Sequence, residues 1–120
     1  MQMAQKLSKE LENMQNVAFG YLFGSFAEGQ ERATSDVDVA LYLVHNSLDA
    51  RLQIIYELSK KLQKEVDLVV LNDLKNVYLL ESILNKGIVL KDNTSRIDFE
   101  LAKQHEILDY KSFKKMINAA

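Results

Sequence analysis

The chain is 120 residues long, 48% apolar and 27% charged, with a formal charge of −2 and a pI near 5.7. That length builds one core and leaves no room for a second, so a single domain spanning residues 1–120 is expected. The acidic balance excludes the basic surface with which binders of long nucleic acids neutralise phosphates, no run approaches the roughly 18 apolar residues of a membrane span, and the lack of cysteine removes disulfides and thiolate metal sites.

The opening MQMAQKLSKELENM has no apolar signal core, which points to the cytoplasm. Met3, Leu7, Leu11 and Met14 recur at helical spacing and predict an amphipathic helix over 2–15. VAFGYLF, 17–23, is short, aromatic and β-branched and predicts a buried strand stopped by Gly24. Ser25 to Ser35 is polar, carries Gly29 and reads as a short helix or turn followed by a loop. VDVALYLV, 37–44, returns to strand character.

Ser47 can cap a helix over 48–64, with Leu48, Leu52, Ile55, Leu58 and Leu62 stepping by three and four. VDLVVL, 66–71, is a third strand. Asn72 or Asp73 can cap a helix running to Asn85, closed by Gly87 as a left-handed cap. IVLK, 88–91, suits an edge strand, and 94–118 a helix with Leu101, Leu108, Phe113, Met116 and Ile117 as candidate buried positions or, if exposed, a partner surface. Strands alternating with helices, and two strands joined without a crossover helix, predict an α/β (α+β) domain with a small mixed sheet and helices mainly on one face.

Asp36 and Asp38 lie two apart at the start of a strand, so their carboxylates leave the same face, roughly 6.5 to 7 Å apart along the chain. Hard oxygen ligands in that relation suit two divalent cations. Asp67 is the other acid inside a strand pattern and completes a triad if VDLVVL pairs beside VDVALYLV. Upstream, Gly24 lets backbone amides approach an anion, and the Ser25 hydroxyl can donate to a phosphate oxygen. A phosphate cradle on one strand end beside acids on the next is what phosphoryl-type transfer from a triphosphate requires.

Gly24-Ser25, ten residues, then Asp36-Val37-Asp38, followed by Asp67, resembles the signature of the DNA polymerase beta nucleotidyltransferase superfamily. At this length the chain is most similar to its minimal nucleotidyltransferase (MNT) branch, the antitoxin partners of HEPN-domain toxins. The resemblance implies a polymerase beta palm-like fold. It implies that Asp36 and Asp38 bind magnesium, two ions in all, that Asp67 assists a metal or takes the acceptor proton, and that Gly24 and Ser25 hold ATP. It further implies adenylylation of a tyrosine on a cognate HEPN toxin, with a hetero-oligomer of the two chains. Many relatives place an arginine where this chain has Glu28, so Arg32 is the loop cation expected to substitute, unless Glu28 faces away. The same chemistry on a small-molecule acceptor, or neutralisation by contact alone, are the alternative readings.

Overall fold

A computed structural model describes residues 2–118. The apolar runs form four strands: β1 (Val17–Phe23), β2 (Val37–Leu43), β3 (Val66–Val70) and β4 (Ile88–Lys91). The amphipathic stretches form α1 (Gln2–Glu12), α2 (Leu48–Leu62), α3 (Val77–Lys86) and α4 (Thr94–Asn118), with a single 3-10 turn at Leu71–Asp73. The sheet order is β3-β2-β1-β4. β1 runs antiparallel to β2 and β4, while β3, reached through α2, is parallel to β2. The mixed sheet is as the sequence predicts, and β4 is indeed an edge strand. Among the described residues no helix is long and apolar enough to cross a membrane.

The helices divide between the two faces more evenly than expected. Val37, Val39, Leu41 and Leu43 of β2 pack with Leu7 and Leu11 of α1 and Ile54 and Leu58 of α2. Phe19, Tyr21 and Ala40 point the other way, against Leu80 and Ile83 of α3 and Ile107 of α4. The reason lies in β1 and β2, which are apolar on both faces along most of their length and therefore require cover on both. Asp38 and Asp67 interrupt this pattern side by side near the start of β2 and β3.

Ser47 caps α2 as predicted, its hydroxyl accepting from the Ala50 amide at 3.1 Å. α3 is capped by Asn76 rather than by Asn72 or Asp73. Asn72 instead bridges the end of β2, donating to Leu43 O and accepting from Leu43 N, both at 2.8 Å, and Asp73 closes the 3-10 turn. Gly87 is not left-handed, having φ −70°. It is glycine because a Cβ there would lie 2.4 Å from the Ile83 carbonyl.

Two helical stripes are placed otherwise than expected. Leu58 is buried and Leu62 packs on the core, but Ile54 takes the inward place while Leu48 and Leu52 are 63% and 55% exposed. In α4 the buried residue is Ile107, whereas Leu101, Leu108, Phe113, Met116 and Ile117 are all exposed. α4 is fastened instead through its first turns, by Phe99 against Phe19 and Tyr42 and by the Tyr21 hydroxyl donating to Glu100 at 2.6 Å.

Candidate active site

The antiparallel pairing of β1 and β2 sets Phe23 opposite Asp38, so the turn that follows β1 begins directly beside that carboxylate. The parallel pairing of β2 and β3 sets Asp38 beside Asp67. The register left open by the sequence is therefore the one that assembles the acids. Asp36 precedes β2 and is exposed, as is Asp67, while Asp38 is partly buried.

Burial pushes the Asp38 carboxyl above its usual value, and the neighbouring Asp67, by charge and by a hydrogen bond between the two side chains, and then Asp36 add to the rise. The Asp38–Asp67 contact thus makes the charged form of Asp38 harder to hold. Among the described residues no lysine or arginine forms an ion pair with any of the three acids. Nor do any three carboxylate or imidazole groups, among those residues, converge tightly enough to enclose an ion in this arrangement, because Asp36 acts on Asp38 only through its charge. Asp38 and Asp67, side by side and without a cationic partner among the described residues, are hard-oxygen donors of the kind a divalent cation takes, while Asp36 stands apart at the surface.

Gly24 is held at φ +73°, and a Cβ on it would stand 2.2 Å from Asp38 Oδ2. Only glycine meets both conditions without moving the carboxylate. From Gly24 the chain makes consecutive turns rather than a helix. The Ala27 and Glu28 amides donate to Gly24 O at 3.1 Å, and Gln30 N donates to Ser25 O at 2.9 Å. No helix dipole therefore operates here, and any anion would be held by turn amides and the half-buried Ser25. Phe26 is buried and pins the turn to the core.

Glu28 faces Lys86 at the end of α3, 3.9 Å away, which takes its charge off the turn. Arg32 is exposed. Its backbone amide donates to Ser35 Oγ at 2.8 Å, and its side chain makes no hydrogen bond or ion pair among the described residues. The structure thus brings together Gly24, Asp38 and Asp67, keeps Ser25 and Asp36 at the rim, and leaves Arg32 on the loop. Lys64 is not among the site residues that the sequence pattern singles out. Its Nζ donates to Ala33 O at 3.0 Å and lies 5.6 Å from the centre of the Phe26 ring.

Comparison with known proteins identifies the family and the fold. The chain is 33% identical over 78 residues to the protein adenylyltransferase MntA of Shewanella oneidensis, an alignment covering 63% of this chain and 55% of that one, so it spans about half the length of that relative. It is 34% identical over 79 residues to a candidate protein adenylyltransferase of Methanocaldococcus jannaschii, covering 65% of this chain and 81% of the other. A chain of a toxin–antitoxin complex crystallised with AMP-PNP superposes with a TM-score of 0.75 at 27% identity, covering 97% of this chain and 93% of that one. The complex of a tri-AMPylated Shewanella oneidensis HEPN toxin with its MNT antitoxin shares the fold, with a TM-score of 0.72 at 20% identity, covering 98% of this chain and 97% of that chain. The family described as polymerase beta, nucleotidyltransferase matches residues 5–96, a span that takes in all four strands with Asp36, Asp38 and Asp67, and the chain belongs to that family.

Proposed function

We propose that this chain is a magnesium-dependent protein adenylyltransferase that moves AMP from ATP to a tyrosine of a cognate HEPN-domain toxin, acting as its antitoxin in the cytoplasm. The observation that carries this reading is the uncompensated cluster of Asp38, Asp67 and Asp36 against the Gly24 turn. The named activity of the relatives and the AMP-PNP complex of a similar chain support ATP as the donor.

Asp36 and Asp38 would hold two magnesium ions, with Asp67 contributing to one of them. Bound there, the ions supply neutralisation of the triphosphate charge and of the charge that develops on the leaving group. The chain's own residues do the rest. Gly24 lets the turn approach the phosphates, the Ser25 hydroxyl donates to a phosphate oxygen, and Arg32, exposed on the loop, reaches the outer phosphates. In the transfer a tyrosine oxygen attacks the α-phosphorus, the bond from that phosphorus to the α–β bridging oxygen breaks, and pyrophosphate leaves. Asp67, beside Asp38 in the β2–β3 register, would take the phenolic proton where it does not assist a metal. The positioning needs no template strand, in keeping with the acidic balance of the chain. The exposed apolar residues of α4 supply a surface for the toxin.

The test is incubation of the chain with magnesium, ATP and the toxin encoded beside it, followed by intact-mass analysis of both polypeptides. Addition of one or more AMP units to the toxin, lost with Asp38→Asn, is the expected result. Unmodified toxin that is nevertheless neutralised, equally well by an Asp36→Asn, Asp38→Asn double variant, would mean action by contact alone. Transfer only to a small hydroxylated molecule would move the acceptor.

A further inference from the structure

The connection from Gly24 to Asp36 carries both halves of the proposed site, and little of its own structure holds it. Its hydrogen bonds are local turns, and residues 28–34 are exposed throughout. One side chain from the segment that follows α2 reaches both of its halves. α2 ends at Leu62, and Gln63 adopts φ 54°, ψ 40° with its amide donating to Ser59 O, so the chain turns sharply back. Glu65 O then accepts from Val37 N at 2.9 Å, which lays this segment along the start of β2.

Between Gln63 and Glu65, Lys64 is aimed at the loop. Its Nζ donates to Ala33 O, three residues before Asp36, and sits over the ring of Phe26, the residue after Ser25. One ammonium group therefore touches the phosphate-turn anchor and the approach to the acids together. Lys64 also shares a shallow pocket with Ser35, Asp36 and Gln63. It forms no ion pair among the described residues, so its charge is directed to a carbonyl and an aromatic face.

We propose that Lys64 is a positioning residue: it straps the 24–36 connection to the end of α2 and so fixes the distance between the Gly24-Ser25 turn and Asp36. The inference rests on the proposed function for its catalytic consequence, but its structural part stands alone. A lysine suits this task because its long stem spans from α2 while one ammonium serves a hydrogen bond and a cation–π contact. The effect on transfer follows from geometry. With the strap released, free chain, turn and Asp36 sample wider separations, and binding of the nucleotide has to order them.

The experiment compares the full chain with Lys64→Met and Lys64→Arg by amide hydrogen exchange and, with toxin present, by steady-state adenylylation at varied ATP. Lys64→Met keeps the stem and removes the charge. It is expected to speed exchange at Ala27, Glu28, Gln30 and Ser35 by about tenfold while Val39 and Leu41 in β2 keep their protection. KM for ATP is expected to rise by about tenfold with kcat changed by less than about threefold, and Lys64→Arg restores both. Exchange in Lys64→Met equal to wild type overturns the proposal, as does protection lost evenly across the loop and β2, which would make Lys64 a general stabiliser. Wild-type protein that transfers nothing sinks the adenylyltransferase reading, and the exchange pattern then decides the strap by itself.

Discussion

Gly24 and Asp38 occupy complementary space across the β1–β2 pair: a methyl group on the glycine would stand 2.2 Å from Oδ2 of the aspartate. Gly29 offers the matched control, with φ +70° against +73° and nothing within 4 Å of its missing Cβ. Alanine at either position suffers the left-handed strain of about 1–2 kcal/mol. Only at Gly24 does it also displace the Asp38 carboxylate. Urea unfolding is therefore expected to show similar losses for Gly24→Ala and Gly29→Ala, whereas adenylylation falls by about a hundredfold or more for Gly24→Ala alone. Equal loss of transfer in both variants would mean that turn conformation, not the fit to Asp38, matters.

Asp38 should weaken the metal-free fold while serving the chemistry. Its carboxyl titrates above the ordinary value of 3.8, so the folded chain holds this proton more tightly than the unfolded chain. Stability then falls as pH rises from the unfolded value through the raised one, and the whole penalty is present above it. Asp38→Asn is expected to stabilise the metal-free protein, by less than about 1 kcal/mol because solvent screens a partly exposed carboxylate, while abolishing transfer. Magnesium should raise Tm of the wild type and leave the variant unmoved. Thermal melts with and without magnesium check both, and a destabilised Asn variant would contradict the crowding of acids inferred here.

The acids were legible because a strand has period two: Val37, Val39 and Leu41 inward oblige Asp38 to the opposite face, and the chain order β2-α2-β3 leaves Asp67 one natural neighbour. Apolar spacing says less about helices, since it reports a stripe and not what covers it. α2 carries two stripes, and only that of Ile54 and Leu58 meets the sheet. α4 packs through Phe99 and Ile107, which leaves the equally well spaced Leu101 and Leu108 outside. Lys64 was illegible for another reason: its partners, Ala33 O and the Phe26 ring, come from a loop whose path only the folded chain defines.

Tyr21 ties the site-bearing strand to α4. Its buried hydroxyl donates to Glu100 Oε1 at 2.6 Å, the same oxygen that Arg96 Nη1 reaches at 2.7 Å, and Arg96 also holds Asp92. Burial, then the Glu100 carboxylate, push the phenol far above its usual 10.0, so the folded protein keeps this proton. Tyr21→Phe is expected to cost about 1–2 kcal/mol near neutrality. Above pH 10 the unfolded tyrosine ionises and the folded one does not, so wild-type stability declines and its advantage over the variant shrinks. Urea unfolding of both proteins on either side of that pH measures the difference, and an advantage constant with pH would mean the hydroxyl is not held protonated.

The outer face of α4 allows packing to be tested apart from the proposed partner binding. Leu101 and Leu108 are each 62% exposed, against 2% for Ile107 on the same helix. A Leu101→Ser, Leu108→Ser double variant is expected to stay within about 0.5 kcal/mol of wild type in urea unfolding, while Ile107→Ser loses about 2–4 kcal/mol through its cavity and buried hydroxyl. If these leucines meet the toxin, the double variant weakens the complex by about tenfold or more, since apolar anchors carry much of an interface's energy. Calorimetric titration of toxin into each variant makes the distinction. Unchanged affinity with unchanged stability would place the toxin on another face, and a large loss of stability would mean that the two leucines pack against the fold.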